Sequence, residues 1–221
     1  MTDLWKKHQK SDWNIFDTYK VTILIKDIVG GRPATAEMIE KWVAATCKAK
    51  TAEERARIVD ADVQALGDVA DDKAQAHTTV FARVDGGLAI EGRQVKAMLK
   101  EAANIIKGRD PVKVKNLRSK VADQVFVSEE YIPLGRTEPD EYQERPIHVM
   151  TAQGPRTSIK RVEMVKGAEV TFTVRRRQGR DTQSVPEPTL LAILDYCQTL
   201  GLGADRSQGY GTFTVQSVEK V

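Results

Sequence analysis

A chain of 221 residues, 41% apolar and with a net charge of +3, is long enough for one large domain or two small ones around a hydrophobic core. Two cysteines, Cys47 and Cys197, without pairing or metal spacing, exclude a disulfide framework, and no stretch approaches the ~20 apolar residues of a membrane-spanning helix. Residues 1–8 contain no run of signal-peptide character, so a cytoplasmic protein with reduced thiols and no membrane partner is expected.

Residues 17–28 alternate, with Tyr19, Val21, Ile23 and Ile25 on one side and Thr18, Lys20, Thr22 and Lys26 mostly on the other, the pattern of a half-buried strand. Gly30-Gly31-Arg32-Pro33 ends it. Helices are expected over 36–48 and from 51 to about 66, the second opened by the capping box Thr51-Ala52-Glu53-Glu54. Residues 79–84 and 88–90 flank Asp85-Gly86-Gly87 and predict a hairpin. After Gly92, the residues Val95, Met98, Leu99, Ala102, Ile105 and Ile106 keep helical spacing, and the other faces carry Arg93, Lys96, Lys100 and Lys107. A strand is expected around Val125-Phe126-Val127. Residues 129–157, interrupted by Pro133, Gly135, Pro139, Pro146, Gly154 and Pro155, read as a long irregular excursion. Val170, Phe172 and Val174 mark a strand ending in Arg175-Arg176-Arg177. Residues 187–200 read as a helix with Leu190, Leu191, Leu194 and Cys197 buried, and Phe213, Val215 and Val218 mark a closing strand. Without insertions at about 29–80 (helical and acidic, plus the hairpin) and 129–157, the order is β-α-β-β-α-β. That is one α+β domain over 1–221 with a ferredoxin-like, RRM-like core.

Charge is unevenly spread. Segment 93–120 holds nine Arg or Lys against Glu101 and Asp110, and segment 145–180 holds nine against Glu163 and Glu169. Acid concentrates in 53–72. This asymmetry fits a polyanionic partner on one side and an acidic, self-complementary surface on the other; plain solvation of charged faces is the simpler alternative.

The sharpest local feature is the segment 200–213, where Gly201, Gly203, Gly209 and Gly211 bracket Arg206, Gln208 and Tyr210. A glycine-rich loop lets backbone N–H groups approach a phosphate. This one follows a helix and opens a strand, the reverse of the dinucleotide-binding fingerprint, and no Walker Gly-Lys-Ser/Thr pattern is present. A helix cap at Gly201 and a bulge at Gly209 and Gly211 account for part of the glycine content. They leave Arg206, Gln208 and Tyr210 unexplained.

The segment Gly201-Leu-Gly-x-x-Arg206-Ser-Gln-Gly-Tyr210-Gly-x-Phe213-x-Val215 resembles the glycine-rich loop of the RAMP superfamily, the RRM-like proteins of CRISPR systems. Leu88-Ala-Ile-Glu-Gly92-Arg-Gln-Val-Lys96 is similar to the family's approach to its first helix, and Gly167-Ala-Glu-Val-Thr-Phe172 to a later strand. The resemblance implies a subunit of the backbone type, whose insertions act as thumb-like additions and which binds a strand of RNA in a helical filament. The chain departs from the pattern at Ala97, where a glycine is usual, and over 144–157. Those departures fit a relative encoded by a phage or mobile element and working outside CRISPR immunity.

The leading function is therefore sequence-tolerant binding of single-stranded RNA or DNA by a self-associating subunit that needs no cofactor. The residues expected to carry it are Arg93, Lys96, Lys100, Arg145, Arg156, Lys160, Arg161, Arg175, Arg177, Gly203, Arg206, Gln208, Gly209 and Tyr210. Arg and Lys suit phosphates, glycine suits close backbone approach, and tyrosine suits base stacking. Because strand side chains alternate, Arg176 must point away from Arg175 and Arg177. One alternative is a metal-independent endoribonuclease with His148, set among Arg145, Arg156 and Lys160, as general acid–base. Another is a structural subunit whose basic face meets an acidic protein. No spacing of His, Cys or carboxylates suggests a metal site.

Overall fold

The computed structural model describes residues 15–33, 51–54, 56–58, 78–109, 112, 114–151, 154–179 and 184–221, with backbone alone at 147–151 and 154–158. The alternation of the first strand is kept: in β1 (Phe16–Val29), Tyr19, Val21, Ile23 and Ile25 are buried. Short strands β2 (Arg32–Pro33) and β3 (Thr79–Val80) precede a hairpin of β4 (Ala82–Val84) and β5 (Gly87–Glu91). Then come α1 (Gly92–Ile106), α2 (Leu117–Gln124), β6 (Val125–Val127), β7 (Tyr131–Pro133), β8 (Glu141–Thr151), β9 (Gly154–Arg177), α3 (Glu187–Leu200) and β10 (Phe213–Lys220).

The core sheet runs β10-β1-β9-β6 with every neighbour antiparallel. Helices α1 and α3 pack against each other over one face of it. Val95, Met98, Leu99 and Ala102 of α1 share one apolar cluster with Ile193, Leu194 and Cys197 of α3 and with Val170, Phe172 and Val174 of β9. This is the ferredoxin-like β-α-β-β-α-β plan with insertions. The other face of the sheet carries no helix among the described residues.

Several expectations need correction. Residues 129–157 are not irregular: they supply β7, all of β8 and the start of β9. Arms 141–151 and 154–164 pair residue by residue, from Glu141 opposite Met164 to Thr151 opposite Gly154. Pro146 is tolerated because β8 pairs with β9 alone among the described strands, and an edge strand loses no ladder bond where its missing N–H faces outward. Residues 79 and 80 leave the expected hairpin for a separate strand that pairs with Val162 of β9, and the turn narrows to Asp85-Gly86. Both turn residues have positive φ, +51° and +75°, the geometry whose twist suits a two-residue hairpin. The strand expected around Val125 is β6, and α2, a helix not among the expected elements, runs up to it. In α3, Leu191 is 43% exposed and Ile193 fills the core position in its place.

The capping box forms, with the Thr51 N–H donating to Glu54 Oε2 and the Glu54 N–H to Thr51 Oγ1, at 3.0 and 3.2 Å. Residues 52–54 and 56–58 of that helix are helical, and its remainder, the helix expected over 36–48, and Cys47 lie outside the described residues.

One polar cluster ties four elements together. Arg176, buried on the inner side of β9, pairs with Asp17 of β1 and donates from Nη1 to the carbonyl of Val185 ahead of α3 at 2.8 Å. Asp17 also accepts from Lys220 of β10 and Gln178, both at 3.0 Å. Burial alone pushes the Asp17 carboxyl up, but the bonds from Lys220 and Gln178 and the charges of Arg176 and Lys220 outweigh it and hold it below 3.8. A depressed folded-state value means that Asp17 stabilises fully above about pH 3.8 and loses that contribution as pH falls through the folded value. Asp17→Asn should therefore cost about 3 kcal/mol at neutral pH, as expected for breaking a buried pair. The gap between wild type and variant in urea unfolding should close as the pH is taken below 4.

Candidate nucleic-acid interface

The glycine-rich loop begins where α3 stops, with the Gly201 N–H bonded to the Cys197 carbonyl at 2.9 Å. It folds back onto the end of β1. Ala204 N–H donates to the Val29 carbonyl at 3.1 Å, Gly211 N–H to Asp27 at 2.6 Å, and Leu202 N–H to Gly211 at 2.8 Å. The approach is close: a Cβ on Gly211 would sit 1.8 Å from the Leu202 carbonyl oxygen, and one on Gly203 2.8 Å from Ile28 Cγ1. Gly209 also has a positive φ, +89°, yet a Cβ there would meet nothing within 4 Å. The N–H groups of Leu202, Ala204, Gln208, Gly209 and Gly211 all donate within the protein. The expected cradle of backbone donors is thus largely committed to holding the loop in place.

Side chains latch the loop on two sides. Toward the β8–β9 hairpin, Asp205 accepts from Arg145 and from Lys160 at 3.1 Å, Arg145 also bonds Gln208, and the Tyr210 hydroxyl donates to Gln143 at 2.8 Å. Toward α1, Arg206 pairs with Glu101 at 2.8 Å. A cleft of about 610 Å³ opens here between α1 and the end of α3, lined by Glu101, Tyr196, Thr199, Asp205, Arg206 and Ser207. A second hollow of about 120 Å³ is lined by Gln94, Ala97, Met98 and, again, Arg206. Arg206 therefore lines both depressions.

The remaining expected contacts divide. Lys96 is committed: its ammonium donates to the carbonyls of Val121 and Ala122, at 2.8 and 2.9 Å, and of Val125, closing the C-terminal end of α2. Burial, with the nearby Lys100 charge, holds the Lys96 ammonium below its usual value against the opposing charge of Asp123. Arg93 pairs with Glu91. Lys100 is half-buried and makes no ion pair among the described residues. Arg161 lies over the Tyr142 ring at 4.3 Å and 4.0 Å from Glu144. Tyr131 and Tyr142, within the segment 129–157 expected to be irregular, belong to β7 and β8. Arg175 and Arg177 are exposed on the helix-free sheet face, with Arg176 inward as the alternation required. They lie fourteen or more residues along β9 from Arg161, on the order of 45 Å, so the basic residues of 145–180 do not converge on one groove. His148 sits in β8 opposite Thr157 and Arg156 opposite Val149; the side chains of His148 and Arg156 lie outside the described ones. Among the described residues no cluster of three or more His, Cys, Asp or Glu could hold a metal. The Cys197 thiol is pushed up to about 12 by burial, so it stays protonated and unreactive at neutral pH.

No protein-family model matches the chain, and no curated protein sequence matches it. A chain in the cryo-EM structure of the Type III-B Cmr-beta bound to cognate target RNA is similar at a TM-score of 0.44 and 14% identity. The match covers 99% of this chain and 64% of that one. At that TM-score the likeness assigns neither fold nor function to this protein. No helix among the described residues is long and apolar enough to cross a membrane.

The loop geometry separates the two kinds of glycine. Gly211→Ala should cost about 3 kcal/mol or more in urea unfolding, because carbonyl and Cβ would collide. Gly209→Ala should cost only about 1 kcal/mol, for a left-handed backbone with open space around it.

Proposed function

We propose that the protein binds single-stranded nucleic acid across the glycine-rich loop and α1, as a self-associating binding subunit without catalytic chemistry of its own. The observation that carries this reading is Arg206, whose side chain lines both depressions. Its pair with Glu101 is a surface pair, with side chains 31% and 44% exposed. Such pairs contribute only about 0–1 kcal/mol, so a phosphate can displace the carboxylate and take both guanidinium edges. Lys100, the residue before Glu101 on α1, supplies a further cation on that helix. By contrast Arg145 and Asp205 are each only 17% exposed and act as an internal latch. The hairpin is thereby fixed to the loop, and the strand path has a rigid wall.

Self-association follows from charge. The acidic residues of 53–72 and the basic helices are complementary, which supports head-to-tail contact between copies in an interface that need not close. A bound strand tethers neighbours and favours this.

Arg206→Ala should leave the melting temperature near wild type and weaken binding of a labelled single strand about tenfold, with the slope of log affinity against log salt reduced by about one. Unchanged affinity would sink the loop site. Light scattering with saturating oligonucleotide should show mass rising in steps of one protomer. Specific cleavage products that disappear in His148→Ala would instead make the chain an endoribonuclease.

A further inference from the structure

The helix-free face of the core sheet carries a cluster of rings and cations at its β6 end. Strand register builds it. Arg175 lies between Thr18 on one side and Phe126 on the other, and Phe16 lies beside Arg177. Phe16 and Phe126 meet edge to face, with centroids 5.8 Å apart and planes at 82°. The Arg175 guanidinium covers the Phe16 ring at 4.5 Å, and Lys96 Nζ reaches the Phe126 ring at 4.9 Å. Phe126 is nevertheless 41% exposed, although large aromatic side chains usually find cover.

The groups around these rings narrow the choice of occupant. No acidic side chain among the described residues pairs with Arg175 or Arg177. Of the nearby carboxylates, Glu129 accepts the Thr173 N–H, while Glu169 and Glu219 sit opposite Leu24 and Lys20. Among the described residues, the rest of the face carries Thr18, Lys20, Thr22, Leu24, Glu169, Thr171 and Thr173, so that its one further large apolar side chain, Leu24, is ringed by polar groups, with Thr22 and Thr171 bonded to each other at 3.0 Å. A lipid or an apolar protein patch calls for contiguous apolar area, which threonines and arginines deny it. A nucleobase calls for one exposed ring with cations a few ångströms away for the flanking phosphates. Rings buttressed by an edge-to-face partner and a guanidinium are also held in place before any ligand arrives, so little ordering is needed on binding.

We propose that this face is a base-stacking site: Phe126 stacks on an unpaired base of the bound strand, and Arg175 and Arg177 hold the phosphates beside it. The proposal rests on the single-strand reading above and extends it to the opposite flank of α1. On that helix Gln94, Ala97 and Glu101 line the loop depressions, while Lys96 turns toward α2 and Phe126. A strand leaving the loop over α1 would reach the ring.

The test compares an ordinary single-stranded oligonucleotide with one of equal length carrying abasic sites, by fluorescence anisotropy. Phe126→Ala should weaken binding of the ordinary strand about tenfold or more. It should leave affinity for the abasic strand unchanged, and Phe126→Tyr should bind as wild type. Melting curves check that the variant is folded; if Phe126→Ala is not, Phe126→Leu keeps the packing on Phe16 without a π face and is measured instead. Equal affinities of wild type and variant for the ordinary strand overturn the stacking site while leaving single-strand binding intact. An equal loss on both strands overturns it too, because the ring would then be acting through the fold. Failure of the wild type to bind any single strand overturns both readings together.

Discussion

The pairing of Arg176 with Asp17 decides which way the longest strand of the molecule faces. β9 spans 24 residues and pairs chiefly with β1 along 164–177 and β8 along 154–164, with β6 and β3 joining it over shorter stretches. Side chains alternate with a period of two, so a slip of one residue would bury Arg175 and expose Phe172 and Val174. A buried guanidinium needs its carboxylate, and Asp17 is the one that β1 presents opposite Arg176. Once that register is set, Arg175 and Arg177 emerge on the open face. At the other end of the same strand, Lys160 reaches Asp205 in the loop.

Electrostatic economy in this protein is local. Of the many cations that the sequence places in two basic segments, several are used as structural fasteners. Lys96 closes a helix end, and Arg145 and Lys160 share Asp205. Burial separates fasteners from contacts: a pair at 17% exposure is shielded from salt and from competing phosphate, whereas Arg206 with Glu101 at 31% and 44% is not. A net charge of +3 thus says little about the interface.

The features legible in the sequence are those set by short-range periodicity. β1, α1 and α3 follow from alternation and helical spacing, and the inversion of Arg176 follows from the period of a strand. Pro146 and Pro155 hide the β8–β9 hairpin in the sequence, because proline argues against a strand unless that strand lies on an edge, as β8 does. The role of Lys96 was hidden because its carbonyl partners lie 25 to 29 residues away. The ion pairs of Arg206 and Arg145 span 105 and 60 residues, so loop composition alone made both look free. Phe16 and Phe126 lie outside the glycine-rich segment whose composition points to Tyr210 as the stacking residue. An outward-facing Phe126 flanked by Val125 and Val127 in a three-residue strand was the available signal.

Amide hydrogen exchange, with and without a saturating single-stranded oligonucleotide, reports directly on where the strand lies. Local opening sets exchange in an exposed loop, and a ligand that holds the loop slows it. The account predicts slowed exchange over 203–210 and over 123–128, with the interior of β1 and β9 unchanged. Exchange that is unaltered in both segments at saturation, or slowed only in parts of the chain remote from the loop and from β6, would contradict it.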